Sequence, residues 1–168
     1  MSMDEWFDLV DEDGSRIGKA LRADCHGNPG LLHQAVHVMV FNTRGDLFLQ
    51  QRGAHKDIQP GKWDSSVGGH LEPGEDPEAG ARREMTEELG TPPDALDFRY
   101  QYIWRSPVES EFIRTYLTRH DGPFELQASE LDEGRFWAAA EIEGAIGSGV
   151  FTPNFELEWE KLKDIRPG

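Results

Sequence analysis

Three glutamates crowded into one short segment carry the strongest chemical signal in this chain. The segment GHLEPGEDPEAGARREMTEELG, residues 69–90, contains Glu84, Glu87 and Glu88. Read as a helix at about 100° per residue, the three share roughly a 100° arc of its surface. Ala81, Met85 and Leu89 form an adjoining apolar stripe, so the carboxylates lie beside the buried face. Gly80 falls on their side one turn earlier, where it lets a ligand or a loop come close. Glutamates at this spacing repel one another by a few tenths of a kcal/mol per pair. A hard divalent cation, Mg²⁺ or Mn²⁺, turns that repulsion into binding, because it prefers oxygen ligands and completes its shell with phosphate oxygens. On the helix alone a solvated acidic face explains the pattern equally well. The flanking loop, with Gly68-Gly69, Pro73-Gly74 and Glu75, decides between them.

Such a site suits hydrolysis of a diphosphate. The substrate's charge repels an attacking water, and metal ions neutralise that charge, polarise phosphorus and lower the pKa of bound water. A carboxylate then positions or deprotonates the water. That base comes from the helix, as Glu84 or Glu87, or from the downstream run Glu130-Leu131-Asp132-Glu133, where Glu130 and Glu133 are the candidates. A charged turn is the plain alternative for that run. Arg52 and Lys56, a basic pair in a strongly acidic protein, point to phosphate binding over surface ion pairing. Trp63 and Trp104 offer stacking faces, although packing is the commoner use of such rings.

Gly69, Glu75, Arg83, Glu84, Met85, Glu87, Glu88 and Gly90 occupy the fixed places of a motif that resembles the Nudix signature. Thr91 stands where an aliphatic residue is usual, a mild departure outside the charged cluster. The resemblance implies a loop–helix–loop that binds Mg²⁺ or Mn²⁺ through Glu84, Glu87 and Glu88, with the Gly68 carbonyl as a further ligand. It also implies that Arg83 and Glu75 pair and brace the loop.

A wider likeness, over most of residues 6–155, rests on Leu32-His33, Phe41-Asn42, Gly45, Gln51-Arg52, Lys56, Pro60-Gly61, Trp63 and Gly69-His70. These resemble the isopentenyl-diphosphate isomerase branch of the superfamily. That branch holds a metal with three histidines and two glutamates, which implies ligand roles for His26, His33 and His70, with Glu130 and Glu133 as candidates for the glutamates. Arg52 and Lys56 match positions that contact the diphosphate there. The isomerase also needs a cysteine just before His70, and Gly68 stands in that place. Cys25 is distant and in no matching motif. The expectation is an isomerase-like scaffold carrying hydrolase chemistry. Isomerisation of isopentenyl diphosphate is the alternative, and a non-catalytic Nudix ligand-binding module is a third, against which the intact glutamate set argues.

The elements that must position these residues follow from local pattern. Trp6–Val10, a turn over residues 11–14 and Ser15–Leu21 read as a β-hairpin, about residues 6–22. Ala35–Asn42 reads as a buried strand turned back by residues 43–46 into an antiparallel partner, Leu47–Arg52. Trp63–Val67, Leu96–Trp104, Phe112–Thr118 and Gly134–Trp137 complete the strands. Asp76–Leu89 is the clearest helix, capped by Asp76, opened by Pro77 and ended by Gly90. Two more helices are expected near Ala138–Ile146 and Asn154–Ile165. With no repeat or linker, residues 1–168 read as one α/β domain, an α/β/α sandwich around a mixed β-sheet.

Composition narrows the partners. Asp and Glu number 32 against 17 Lys plus Arg, a formal charge of -15 that repels nucleic-acid polymers and anionic membranes. A small phosphorylated substrate stays compatible, since bound cations reverse the sign locally. No apolar run approaches the roughly 20 residues that span a bilayer. The first residues lack the basic-then-apolar pattern of a secretory signal. One cysteine in the chain fits a reducing cytoplasm. The sequence leaves the oligomeric state open, with a homodimer among the options.

Overall fold

The computed structural model describes residues 5–54, 56, 59–126 and 131–165. Its centre is β3 (Leu32–Phe41), a strand buried on both faces and therefore apolar along most of its length. β8 (Ser110–Arg119) runs parallel to it from Leu32↔Ser110 to Phe41↔Arg119. Three partners share the other edge of β3. β1 (Trp6–Val10) meets it at His33, β6 (Val67–His70) pairs over Ala35–Val38, and β4 (Leu47–Arg52) meets it at Phe41. β2 (Arg16–Leu21) extends β1 as the expected hairpin, and β7 (Asp97–Arg105) extends β8. β5 (Trp63–Asp64) and β9 (Leu131–Trp137) both pair antiparallel with β4. The result is a mixed, curled sheet of nine strands among the described residues.

Strand alternation divides β3 between two cores. Val36, Val38 and Val40 pack against Ala81, Met85 and Leu89 of α2 (Pro77–Leu89). Met39 and Phe41 face the other side, where Ile142 of α3 (Ala139–Ala145) and Phe155, Trp159 and Leu162 of α4 (Pro153–Leu162) cover them. Helices on both faces of a mixed sheet match the expected layering. α4 starts at Pro153 because Thr152 caps it, its Oγ1 accepting from Phe155 N–H at 3.1 Å. No described helix is long and apolar enough to cross a membrane.

Three differences from the sequence reading bear on the site. The expected strand Trp63–Val67 is two strands, because the chain leaves the β4 edge at Asp64 and joins the β3 edge at Val67. Ser66 bridges the crossing: its hydroxyl accepts from Val40 N–H at 2.9 Å and donates to the Phe48 carbonyl. β4 pairs with β3 at a single described position, Phe41↔Leu47, and takes β9 as its main antiparallel partner. A one-turn helix, α1 (Arg22–Cys25), unannounced by any apolar periodicity, delivers His26 at its exit.

Candidate active site

Helix α2 forms as its ends dictate. Asp76 accepts from Ala79 N–H at 3.1 Å, Pro77 takes the first helical position, and Gly90 exits left-handed at φ 77°. Anchoring the apolar stripe leaves Glu84 and Glu88 beside β6, with Glu87 lining the same cleft. A Cβ at Gly69 would collide with the Glu84 carboxylate, so glycine there lets helix and strand approach. At Gly80 the close neighbour is the loop, since a Cβ there would meet Leu71 and Glu75. Glu88 is 9% exposed, and its Oε1 accepts from Gln50 Nε2 at 3.1 Å and from Gly68 N–H at 3.4 Å.

Arg83 holds this region together. Its guanidinium forks onto Glu75 at 2.8 and 2.9 Å, donates to the His70 carbonyl at 3.1 Å, and reaches Glu84 at 3.2 Å and Glu87 at 2.8 Å. The expected Arg83–Glu75 pair is present, and Arg83 holds the Glu75 carboxyl below the usual range. Burial lifts Glu84 above that range, and the neighbouring Glu87 charge adds to the effect.

A second cluster lies on the other side of His70. His26, His33, His70 and Glu109 place ligand atoms within 4.8 Å of one another. His26 Nε2 and His33 Nε2 lie 3.6 and 3.5 Å from Glu109 Oε1, and His70 Nε2 lies 3.0 Å from Glu111 Oε2. His33 Nδ1 faces the Leu31 carbonyl at 3.2 Å, an arrangement that leaves Nε2 as the electron-pair donor. Phe7, carried in by β1, stacks on His33 with ring centroids 5.2 Å apart and packs on His70 at 4.7 Å. His33 Nε2, His70 Nε2 and Glu109 Oε1 are buried with no aligned hydrogen-bond partner among the described residues. Convergent, unsatisfied donor atoms of this kind fit a cation. Burial would raise Glu111, but His70, His33 and His37 outweigh it and hold the carboxyl down to about 2.

Among the described residues, the carboxylates beside the histidines are not the expected Glu133 but Glu109 and Glu111. Glu133 is exposed on β9 opposite Gln51 and is not among the residues lining the cleft, and Glu130 lies outside the described residues. Glu109 and Glu111 arrive because β8 runs parallel to β3 and sets Glu111 beside His33. A Glu-x-Glu pair entering a strand puts both carboxylates on one face, a signal available in the sequence.

Both clusters open into one cleft of about 940 Å³, which Arg52, Lys56, Arg22 and Trp104 also line. Arg52 Nη1 is 3.8 Å from Asp64. Trp63 instead packs edge-on against Trp137. The floor holds a group that sequence reasoning missed. His37, opposite Gly68 in the β3–β6 ladder, bonds through Nδ1 to Glu158 of α4. Burial opposes charging of the ring, but the Glu158 carboxylate outweighs it and lifts His37 to about 9. An imidazole inside a valine run and a glutamate between Leu157 and Trp159 were the available hints.

The NUDIX domain family model matches residues 31–155. The chain belongs to the Nudix family. It is 46% identical to an isopentenyl-diphosphate Delta-isomerase of Streptomyces coelicolor over 155 residues, covering 89% of this chain and 79% of that protein. It is also 34% identical to an uncharacterized Nudix hydrolase of Listeria monocytogenes, covering 92% of each. The crystal structure of DR0079 from Deinococcus radiodurans superposes with a TM-score of 0.79 at 27% identity, covering 94% of this chain and 98% of that one. This Nudix chain thus has relatives named for two different reactions.

Proposed function

We propose that this Nudix protein is a divalent-metal-dependent hydrolase of a diphosphate linkage in a nucleoside diphosphate derivative or a similar small phosphorylated metabolite. The observation that carries the reading is the gathering of Glu84, Glu87 and Glu88 beside Gly68-Gly69, in a cleft that Arg52 and Lys56 also line. The helix glutamates and the Gly68 carbonyl would hold Mg²⁺ or Mn²⁺. When bound, the cation neutralises phosphate charge and lowers the pKa of its water. Arg52 and Lys56 orient phosphate oxygens through charge-assisted hydrogen bonds. Glu84 and Glu87 are the helix candidates for taking the water proton. Arg83 and Glu75 keep the loop on the helix.

Incubating the protein with nucleotides and small diphosphates plus Mg²⁺ or Mn²⁺ tests this. Release of phosphate or pyrophosphate supports hydrolysis; its absence across the panel defeats it. The histidines with Glu109 would hold a further cation, with Glu111 beside His33 and His70. His33→Ala should therefore lower Mn²⁺ stoichiometry by about one equivalent in a paramagnetic-resonance titration, with the acidic helix still binding.

Isomerisation of isopentenyl diphosphate is the second reading, favoured by that histidine cluster and by the Streptomyces coelicolor relative. It predicts rearranged product without phosphate release. Glycine at position 68 has no proton to exchange with an alkene carbon, and Cys25 is buried and not among the residues lining the cleft. Gly68→Cys should gain little or no isomerase activity by product chromatography, because a Cβ there sits 3.2 Å from the His37 ring and crowds it. Robust isomerisation by that variant would show that the cleft retains the second chemistry.

A further inference from the structure

Diphosphate hydrolysis leaves His37, a polar group of the cleft, without a task. Alternation along β3 turns Val36 and Val38 toward α2 and places His37 on the opposite face. Its Cδ2 and Nε2 come within 3.2 and 3.4 Å of where a side chain at position 68 would begin. The ring lines the cleft although the residue is 7% exposed. Behind it, Glu158 has no solvent exposure. Its Oε1 accepts from the Tyr100 hydroxyl at 2.6 Å and the Thr115 hydroxyl at 2.8 Å, and its Oε2 from the Tyr102 hydroxyl at 2.8 Å and from His37 Nδ1.

Four donors saturate that carboxylate, so it has nothing left for a ligand. The clamp commits Nδ1 and fixes the plane of the ring, leaving Nε2 as the nitrogen free to meet a ligand. Asn154, which also lines the cleft, donates from Nδ2 to the Tyr102 hydroxyl at 2.9 Å. Its carbonyl oxygen carries no hydrogen bond among the described residues. A hydrocarbon group packed here would strip water from Nε2 and from the amide oxygen and return no hydrogen bond. A polar group satisfies both. For stability alone, well-packed apolar residues would serve as well as this buried pair.

We propose that His37, held by Glu158, is the specificity-determining residue of the cleft: with Asn154 it hydrogen-bonds the group attached to the diphosphate, admitting a polar substituent and rejecting a hydrocarbon one. Glu158 acts through His37 as a positioning residue. The assignment rests on the diphosphate-cleaving reading and narrows its substrate range to polar diphosphate esters.

Calorimetry on the Mg²⁺-loaded protein with non-cleavable methylene-bridged analogues tests recognition apart from chemistry. The wild type should bind an adenosine or cytidine methylenediphosphonate at least about 10-fold tighter than an isopentyl one. His37→Leu should weaken the nucleoside analogue by about 10- to 100-fold while leaving the isopentyl analogue unchanged or tighter. His37→Gln, which keeps a hydrogen-bonding group, should recover part of the loss. Asn154→Leu, at a half-buried cleft position, should narrow the preference even if His37→Leu fails to fold. Equal affinity of the wild type for the two classes, no binding of either, or equal weakening of both by His37→Leu would overturn the assignment. Phosphate release from the cleavable parents is scored separately: retained selectivity without cleavage supports the recognition role and defeats the hydrolytic one.

Discussion

Glu87→Gln and Glu88→Gln should each lower turnover of a cleaved diphosphate by at least about 100-fold while the fold survives. Each exchange keeps side-chain size and removes one negative charge, which is what a hard cation reads. The folded state has little to lose. Glu87 is half-exposed, and its contact with Arg83 at 2.8 Å is an exposed i,i+4 pair of the kind worth a few tenths of a kcal/mol. Glu88 is buried, but its Oε1 acts as an acceptor for Gln50 and Gly68, and a glutamine carbonyl can replace it there. Rates measured across a Mg²⁺ titration, with thermal melts alongside, separate the two effects. Full activity in both variants would put the working cation elsewhere in the cleft, nearest at His26, His33 and His70.

What was readable in the sequence was local. The helix from Pro77 to Leu89, its cap at Asp76 and its exit at Gly90 are each written within a few residues of where they act. The Arg83–Glu75 brace came from the resemblance, and the structure contains it. The hairpin of β1 and β2 followed from its turn and its flanking strands. The histidines were placed together by resemblance, and the structure brings all three to one cluster.

The remainder depends on register between distant strands, which no short window contains. Glu109 and Glu111 reach the histidines because β3 and β8 run parallel with His33 opposite Glu111, and a parallel pairing needs a long crossover. The downstream acidic run drew attention because it precedes a strand, but Glu133 pairs opposite Gln51 on the far side of β4. Shifting that strand by one residue would have reversed which face it shows, so alternation alone could not settle the matter. Ser65-Ser66 looked like the middle of a strand and is instead the hop between two sheet edges. His37 and Glu158 lie 121 positions apart, and nothing local joins them.

That buried pair should also set how stability depends on pH. In EDTA, to keep the metal sites empty, resistance to urea should be greatest between roughly pH 5 and 6.5 and fall as pH rises toward 9. His37 binds its proton more tightly folded, at about 9, than at its ordinary 6.5. The stabilisation it brings is therefore complete below 6.5 and drains away between 6.5 and 9, on the order of 3 kcal/mol across the window. Glu158 has the opposite sign. Burial alone would raise it, but His37 and the tyrosine hydroxyls overcome that and hold it below the usual carboxylate range, so its contribution fades as pH drops through that range. The charges facing the ring from other elements, Asp64 of β5 and Glu111 of β8, reinforce His37. Tyr100 and Tyr102 of β7 are pushed upward by burial and by Glu158, and they stay neutral donors throughout. Glu158→Gln removes the largest attraction while nearly preserving shape. The variant should lose about 3 kcal/mol or more below pH 6.5, the usual cost of stranding one member of a buried pair, and its stability should change much less between 6.5 and 9. Urea midpoints at pH 5.5, 7.5 and 9 read both quantities. Parallel pH profiles for the two proteins would mean that the ring is not held charged by Glu158.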